Sequence, residues 1–531
     1  MKKEKEVSWG GKVSGDVYIR RASGLVRNIS AWDAMVFNIM VMAPMAILVY
    51  GVWASIIYPG AHLPTTALLA IPISIVIGLF YALLSIAMPR AGGDYIWVSR
   101  ILHPAIGYSI NFFLFMVILS VAGAYIPWFT QYVLAPVLEV HGLTDFAAMV
   151  SSNEFTFVFA VIYYLICAAI ISRGAKVTAK ILWAYFILVL VGLAIYAGAL
   201  FLIGRGTFAA NFSAATGVDY EKVIKTAADA GYPTSFLPMA TLLGLTFTYI
   251  NFLGFNFSIY LAGEIKEVQK SQLIAIVGAV LLFGFIDWLA YEAAYAGMGG
   301  EFLGALSYLY AVGSDVYPFG SREPFFMWLF RYAVDPITYT IFMVGWGAMV
   351  LAAILTYVAT AVRFVFAWSF DRVVPTFLSN VDMRYHSPYA ALIFVTIVAI
   401  IFQVLWLWTP LLQYFAYIVF GWMIMQVIAS IAGILFPRRR PDIWERSSAI
   451  VKAKVGGVPV LSILAVISII LAIYLGYASI SPAFVGELDP GIMTFTICLF
   501  IIGLVIYAIS SLYHRKVGIP LELSFKELPP E

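Results

Sequence analysis

The sequence predicts an all-α polytopic membrane protein of about twelve transmembrane helices, built as a 5+5 inverted repeat with two further helices at its end. Three observations carry this reading. Hydrophobic residues make up 63% of the 531 residues and charged residues only 11%, where soluble domains run at about 45–50% and about 25%. Mean hydropathy is +0.95, so too few polar side chains exist to coat a water-facing surface. Apolar runs of about 20 residues, the length that crosses a bilayer, recur along the whole chain.

The first 29 residues are polar and basic and lead straight into a full-length apolar run, so no removable signal peptide is read. Spans follow near 30–53, 65–88, 105–137, 155–172 and 180–203, which form the first five-helix repeat over residues 30–204. The third run is long enough to be tilted or to end in a loop helix. An outer loop at 205–235 is expected to hold a short helix around Asp219–Ala230. The second repeat, 236–436, contains spans near 236–263, 271–297, 336–363, 388–407 and 411–436. Its outer loop at 298–335 is rich in aromatics and long enough to be a lid. A loop at 437–458, two additional helices within 459–513 (459–481 and 490–513) and a tail at 514–531 complete the chain.

Charge placement tests this count. Of 31 Lys and Arg, 26 fall on the side of the two termini and 5 on the other. That segregation obeys the positive-inside rule, and it predicts a multi-pass protein of the cell (plasma) membrane with both termini cytoplasmic. The opposite loops read acidic, with Glu139, Asp145, Glu301 and Asp335 among others.

Spans 1–5 and 6–10 are each odd in number, so the two sets run in opposite directions, as in inverted-repeat transporters. The first span of each set is interrupted. Span 1 carries Met40-Val41-Met42-Ala43-Pro44-Met45, in which Pro44 lacks the N–H of a continuing helix and suits the start of a new half-helix. Span 6 carries Phe252-Leu253-Gly254-Phe255-Asn256, with Gly254 permitting unusual dihedrals and Asn256 a favourable N-cap. An interrupted helix survives in lipid only where it lines a protein cavity. The start of a half-helix attracts a carboxylate and its end an ammonium group. These eleven residues are therefore the candidate substrate-binding site for a small dipolar solute. Phe252 and Tyr249 flank the second break and are candidate gates.

Four segments resemble the amino acid–polyamine–organocation (APC) superfamily of permeases. They are Trp32-Asp33-Ala34; Pro89-Arg90-Ala91-Gly92-Gly93-Asp94-Tyr95 with Arg100 and His103-Pro104; Gly254-Phe255 with Ala262-Gly263-Glu264-Ile265-Lys266; and Arg363 with Asp371-Arg372-Val373-Val374-Pro375. Their order and spacing carry the resemblance, which covers roughly residues 24–440. It implies a LeuT-like fold with discontinuous spans 1 and 6 and an amino acid held between them. The sequence departs from the family where a Gly-Ser-Gly-type turn is common in span 1 (here Met42-Ala43-Pro44-Met45) and where an acidic residue often follows Gly-Phe in span 6 (here Asn256). A lysine found deep in span 5 of some members has Val189 near the comparable depth here.

Charged residues at membrane depth are costly and usually functional. Asp287 in span 7 is the candidate proton carrier, and Thr356 and Thr360 in span 8 are candidates for a sodium site. The expected function is secondary transport of an amino acid, proton-coupled or by exchange. The alternatives are a polyamine or organic-cation permease of the same fold, a membrane sensor, or an enzyme. No HExxH, Gly-x-Ser-x-Gly or phosphate-binding glycine loop is found, so no enzyme is read. The two cysteines, Cys167 and Cys498, lie in apolar runs, and no Cys/His spacing suggests a metal. No cofactor and no nucleic-acid partner is expected. The expected partners are the bilayer, a small-molecule amino acid or related amine, and a proton or sodium ion.

Overall fold

A computed structural model of the protein describes residues 24–529 apart from 234, 383, 411–413, 416–417, 482–488 and 519. The first 23 residues of the N-terminal segment, with six of its seven cations, lie outside the described residues.

Backbone polar groups in a bilayer must be satisfied within the chain, which favours helices, and the protein is an all-α polytopic membrane protein. Among the described residues the strands are Lys454–Val455 and Val458–Pro459, paired as one small antiparallel hairpin. Twelve spans follow when the bent pair Ala31–Met42 and Ile47–Ile57 is taken as span 1. The others are Leu63–Ala87, Pro104–Val140, Asn153–Ser172, Ala175–Ile203, Pro238–Glu264, Val268–Ala311, Pro336–Phe370, Tyr389–Trp408, Ile418–Arg439, Val460–Ser479 and Pro490–Val517. Span 8 is mostly buried, while spans 11 and 12 leave most of their residues at the outer surface, where lipid covers them. Span 1 packs against spans 5, 7 and 8.

Several helices outrun their apolar runs, because polar side chains at their ends find partners. Span 5 begins at Ala175, not near 180, with Lys176 held by Asp33 at 2.9 Å. Arg363, at the expected end of span 8, lies well inside that helix, which continues to Phe370, and is buried in an ion pair with Glu264 at 2.9 Å. Span 3 continues to Val140 through a π-turn at Thr130–Leu134, just after Pro127. Span 7 likewise runs through a π-turn at Tyr295–Gly299 into the helix Gly300–Ala311.

The long loops opposite the termini are built structures. The expected short helix is Tyr220–Asp229, capped by the Asp219 side chain, which accepts from Lys222 N at 2.9 Å. A second helix, Arg205–Thr216, precedes it. Tyr220 stacks on Phe302 with centroids 4.2 Å apart and donates its hydroxyl to Met298 O at 2.8 Å, which pins this loop to the last part of span 7.

Candidate functional site

Span 1 breaks after Met42, where Ala43 and Met45 take positive φ values of 56° and 69°. The two half-helices meet at 42°. Pro44 lies in the turn and does not start the second half-helix, which begins at Ile47. Proline fixes only its own φ, and the left-handed residues on either side of it delay the helix.

The break frees backbone groups in a dry interior, and side chains of spans 7 and 8 bond three of them. Met45 N–H donates to Asp287 Oδ1 at 3.2 Å. Trp346 Nε1 donates to Met45 O at 3.1 Å, and the Tyr357 hydroxyl donates to Val41 O at 2.9 Å. All three of these side chains are buried. Unmade hydrogen bonds of this kind cost about 1–3 kcal/mol each, so the break is held open by named partners.

Span 6 breaks at Leu253–Asn256, after the helix Pro238–Phe252 and before a 3₁₀ segment Phe257–Glu264. Gly254 has φ 107°, and a Cβ there would lie 2.3 Å from Val41 Cγ1. The two breaks therefore touch. Asn256 does precede the outgoing segment, but its side chain makes no capping bond. Ser258 N instead donates to Asn38 Oδ1 at 2.6 Å, and Asn38 Nδ2 donates back to Ser258 Oγ at 3.0 Å. Ser258 Oγ donates on to Gln272 Oε1 at 2.8 Å. A remote partner thus takes the role expected of a local cap.

Asp287 bridges the two interrupted spans. Its Oδ2 accepts from Asn251 Nδ2 at 2.6 Å, one residue before the end of the first half of span 6. Among the described residues no cation lies within bonding range of it, whereas the buried carboxylates Glu264 and Asp371 pair with Arg363 and Arg100.

Phe252 is the last residue of the first half-helix, one position before the break itself, and packs edge-on against Phe283 with centroids 5.0 Å apart. Tyr249 is fully buried one turn earlier. Thr356 and Thr360 donate their hydroxyls to Ala353 O and Thr356 O at 2.8 and 2.9 Å, the way a membrane-helix threonine satisfies itself. Met40, Val41, Met42 and Phe255 are buried around the contact. Among the described residues, no three His, Cys, Asp or Glu side chains gather to hold a metal.

The surroundings of the breaks differ on the two sides. Toward the termini a crevice of about 370 Å³, part of it open to solvent, is lined by Asp33, Phe37, Thr178, Leu182, Ser258 and Arg363 among others. On the opposite side the rings close up. Tyr125 stacks on Trp128 at 4.8 Å, Trp128 on Trp346 at 6.0 Å, and Tyr50 meets Trp128 at 6.1 Å. Beyond them the loop after span 7 straps together the helix ends opposite the termini. Glu323 accepts from Trp53 Nε1 at 2.8 Å, and burial raises its carboxyl above the usual range although that bond works against the rise. Arg322 and Arg331 both grip Glu139 at the end of span 3, at 2.6 and 3.2 Å.

Trp346 and Tyr357 could not be singled out from the sequence. In a chain with 16% aromatic residues, nothing marks the two whose polar tips reach a broken backbone. Asp287 was legible because a lone acid deep in an apolar run stands out.

Compared with known families, residues 30–517 match the family model described as amino acid permease. None of the curated proteins matches the chain.

Proposed function

Because the chain belongs to the amino acid permease family, a family of membrane transporters and not of enzymes, we propose that it is a secondary transporter that carries an amino acid by alternating access. The substrate sits between the breaks, against the backbone of Met40–Met45 and Phe252–Asn256. The crevice toward the termini and the closed rings opposite support reading this conformation as open to the cytoplasm, and the charge split supports cytoplasmic termini in a cell membrane. Tyr249 and Phe252 act as gate residues, moving with the half-helix that carries them.

The observation that carries the coupling mechanism is the bond from Met45 N–H to Asp287. That N–H lies in the turn just before the second half-helix, next to the end where a substrate carboxylate binds best. Asp287 occupies it as an internal stand-in. A substrate carboxylate arriving there meets a second anion in a low-dielectric site, and the two repel strongly. A proton on Asp287 removes the repulsion and leaves the N–H to the substrate. Substrate and proton then enter together and leave together. Sodium coupling would rest on Thr356 and Thr360, whose hydroxyls already bond within span 8, so the proton is the favoured ion. Exchange needs no net proton movement and is the outcome if the gradient has no effect.

A second reading, an organic amine or polyamine as substrate, is favoured by one observation. An acid without a cation partner among the described residues bonds Met45 N–H, and Met45 O accepts from Trp346, which belongs to the ring cluster of Trp128, Tyr125 and Tyr50, a setting that suits an ammonium group. The test is uptake of labelled amino acids and amines into proteoliposomes under an imposed pH gradient. Gradient-driven uptake of an amino acid that Asp287→Asn abolishes is expected. Uptake that ignores the gradient and is the same in both proteins sinks the coupling mechanism, and selective uptake of amines moves the protein to the second reading.

A further inference from the structure

The loop between spans 10 and 11 is folded, basic and apolar-tipped. Arg438 and Arg439 end span 10, Arg440 comes next, and Arg446, Lys452 and Lys454 follow before span 11 begins at Val460. Two acids, Asp442 and Glu445, lie among them. Arg440 is taken by Asp442 through two bonds of 2.9 and 2.7 Å, and Lys452 donates to Glu445 O at 2.9 Å. Arg438, Arg439, Arg446 and Lys454 are exposed and in no ion pair among the described residues.

The loop has its own small core. Trp444 is buried edge-on against Phe436 at 5.5 Å, and Val451 is fully buried. Lys454–Val455 pairs with Val458–Pro459 across Gly456 and Gly457, whose positive φ values close the turn. Val460 N donates to Ala453 O at 2.8 Å, which fixes the hairpin to the first residue of span 11. The hairpin thus projects where a helix leaves the hydrocarbon. Its tip leaves Val455 64% and Val458 48% exposed, and Ile450 beside it is 42% exposed. Water is a poor solvent for such a tip, and a solvated connector has no need of one.

Cations without partners beside an exposed apolar tip, at the plane where a helix leaves the bilayer, match an interfacial lipid contact. We propose that this loop binds the anionic phospholipid headgroups of the leaflet it borders. Arg438, Arg439, Arg446 and Lys454 hold the phosphates, and the Val455–Val458 tip sits at the acyl boundary. The contact fixes the ends of spans 10 and 11 against the membrane plane.

The test is native mass spectrometry of the full chain released from nanodiscs of equal phosphatidylglycerol and phosphatidylcholine. Retained lipid is expected to favour phosphatidylglycerol by about tenfold or more. The variant R438Q/R439Q/R446Q/K454Q is expected to lose that preference, V455S/V458S to lower it, and K180Q/K516Q to keep it. If the fourfold variant fails to fold, R438Q/R439Q and R446Q/K454Q tested separately are each expected to lower the preference. Equal retention of the two lipids by the natural protein overturns the proposal, as does an unchanged preference in the fourfold variant or in both pairs. Displacement of the retained lipid by millimolar inorganic phosphate also overturns it, because the surface then belongs to a soluble anion.

Discussion

Gly254 shows how one residue can decide whether two interrupted helices meet. Its φ of 107° is open to glycine, and its missing Cβ leaves the space that Val41 fills. Gly254→Ala would both strain the backbone and push the breaks apart. Substrate binding is expected to weaken by tenfold or more, read by isothermal titration once a substrate is in hand, with thermal stability lowered as well. Asp94 is a second residue with a legible consequence. It lies between spans 2 and 3, buried, with Tyr260 OH at 3.1 Å and Asn111 Nδ2 at 3.3 Å as donors. Burial pushes its carboxyl up to about 7, against the pull of those bonds. A carboxyl whose pKa is raised on folding binds its proton more tightly in the folded state. Its stabilisation is complete below the unfolded value near 4 and is lost as pH rises through about 7. The melting temperature of the purified protein is expected to fall by a few degrees between those limits, and Asp94→Asn to flatten that slope. An equally steep slope in the variant removes the assignment.

At the scale of elements, the two broken spans are kept broken by their neighbours. Span 8 supplies Trp346 and Tyr357 to the carbonyls of span 1, and span 7 supplies Asp287 to its N–H. Trp346→Phe keeps most of the packing and removes only the donor, so Met45 O keeps its bond from Leu48 N at 3.1 Å and loses the second one, at a cost of about 0.5–1.5 kcal/mol. A lowered melting temperature and faster hydrogen exchange at Met45–Leu48 are expected; unchanged exchange there would mean the turn holds itself. The end of span 6 is tied differently. Arg363 grips Glu264 through two bonds of 2.9 and 3.1 Å, while Asn28 and Ile29 donate to Glu264 O at 3.0 Å. The start of span 1 and the end of span 6 are therefore one unit on the side of the termini.

At the scale of the whole molecule, a crevice lies on the side of the termini, and the opposite side is closed by rings and a strap. In a Cys167→Ser/Cys498→Ser background, Ala179→Cys lines the crevice and is expected to react with a membrane-impermeant maleimide added from the side of the termini. Val52→Cys, fully buried next to Trp53 and leaving the Trp53–Glu323 bond in place, is expected to react slowly from the other side. The reverse pattern would mean that the solution conformation opens the other way. Glu323→Gln weakens the strap and is expected to speed labelling at positions beneath it.

The membrane class, the twelve spans, the two interruptions and the lone deep acid were all determined by the sequence itself. Each follows from local chemistry: apolar length, charge placement, and proline or glycine within a run. Where the helices end was not legible, because span 5 starts early enough to include Lys176 and span 8 continues past Arg363, each held by a partner far away in the chain. The cap expected of Asn256 went to Asn38 for the same reason. Only the tertiary structure decided which aromatic tips reach the broken backbone and that Asp287 occupies Met45 N–H. Hydrogen bonds between residues hundreds of positions apart leave no periodic trace in a sequence, whereas burial in lipid marks every residue of a span.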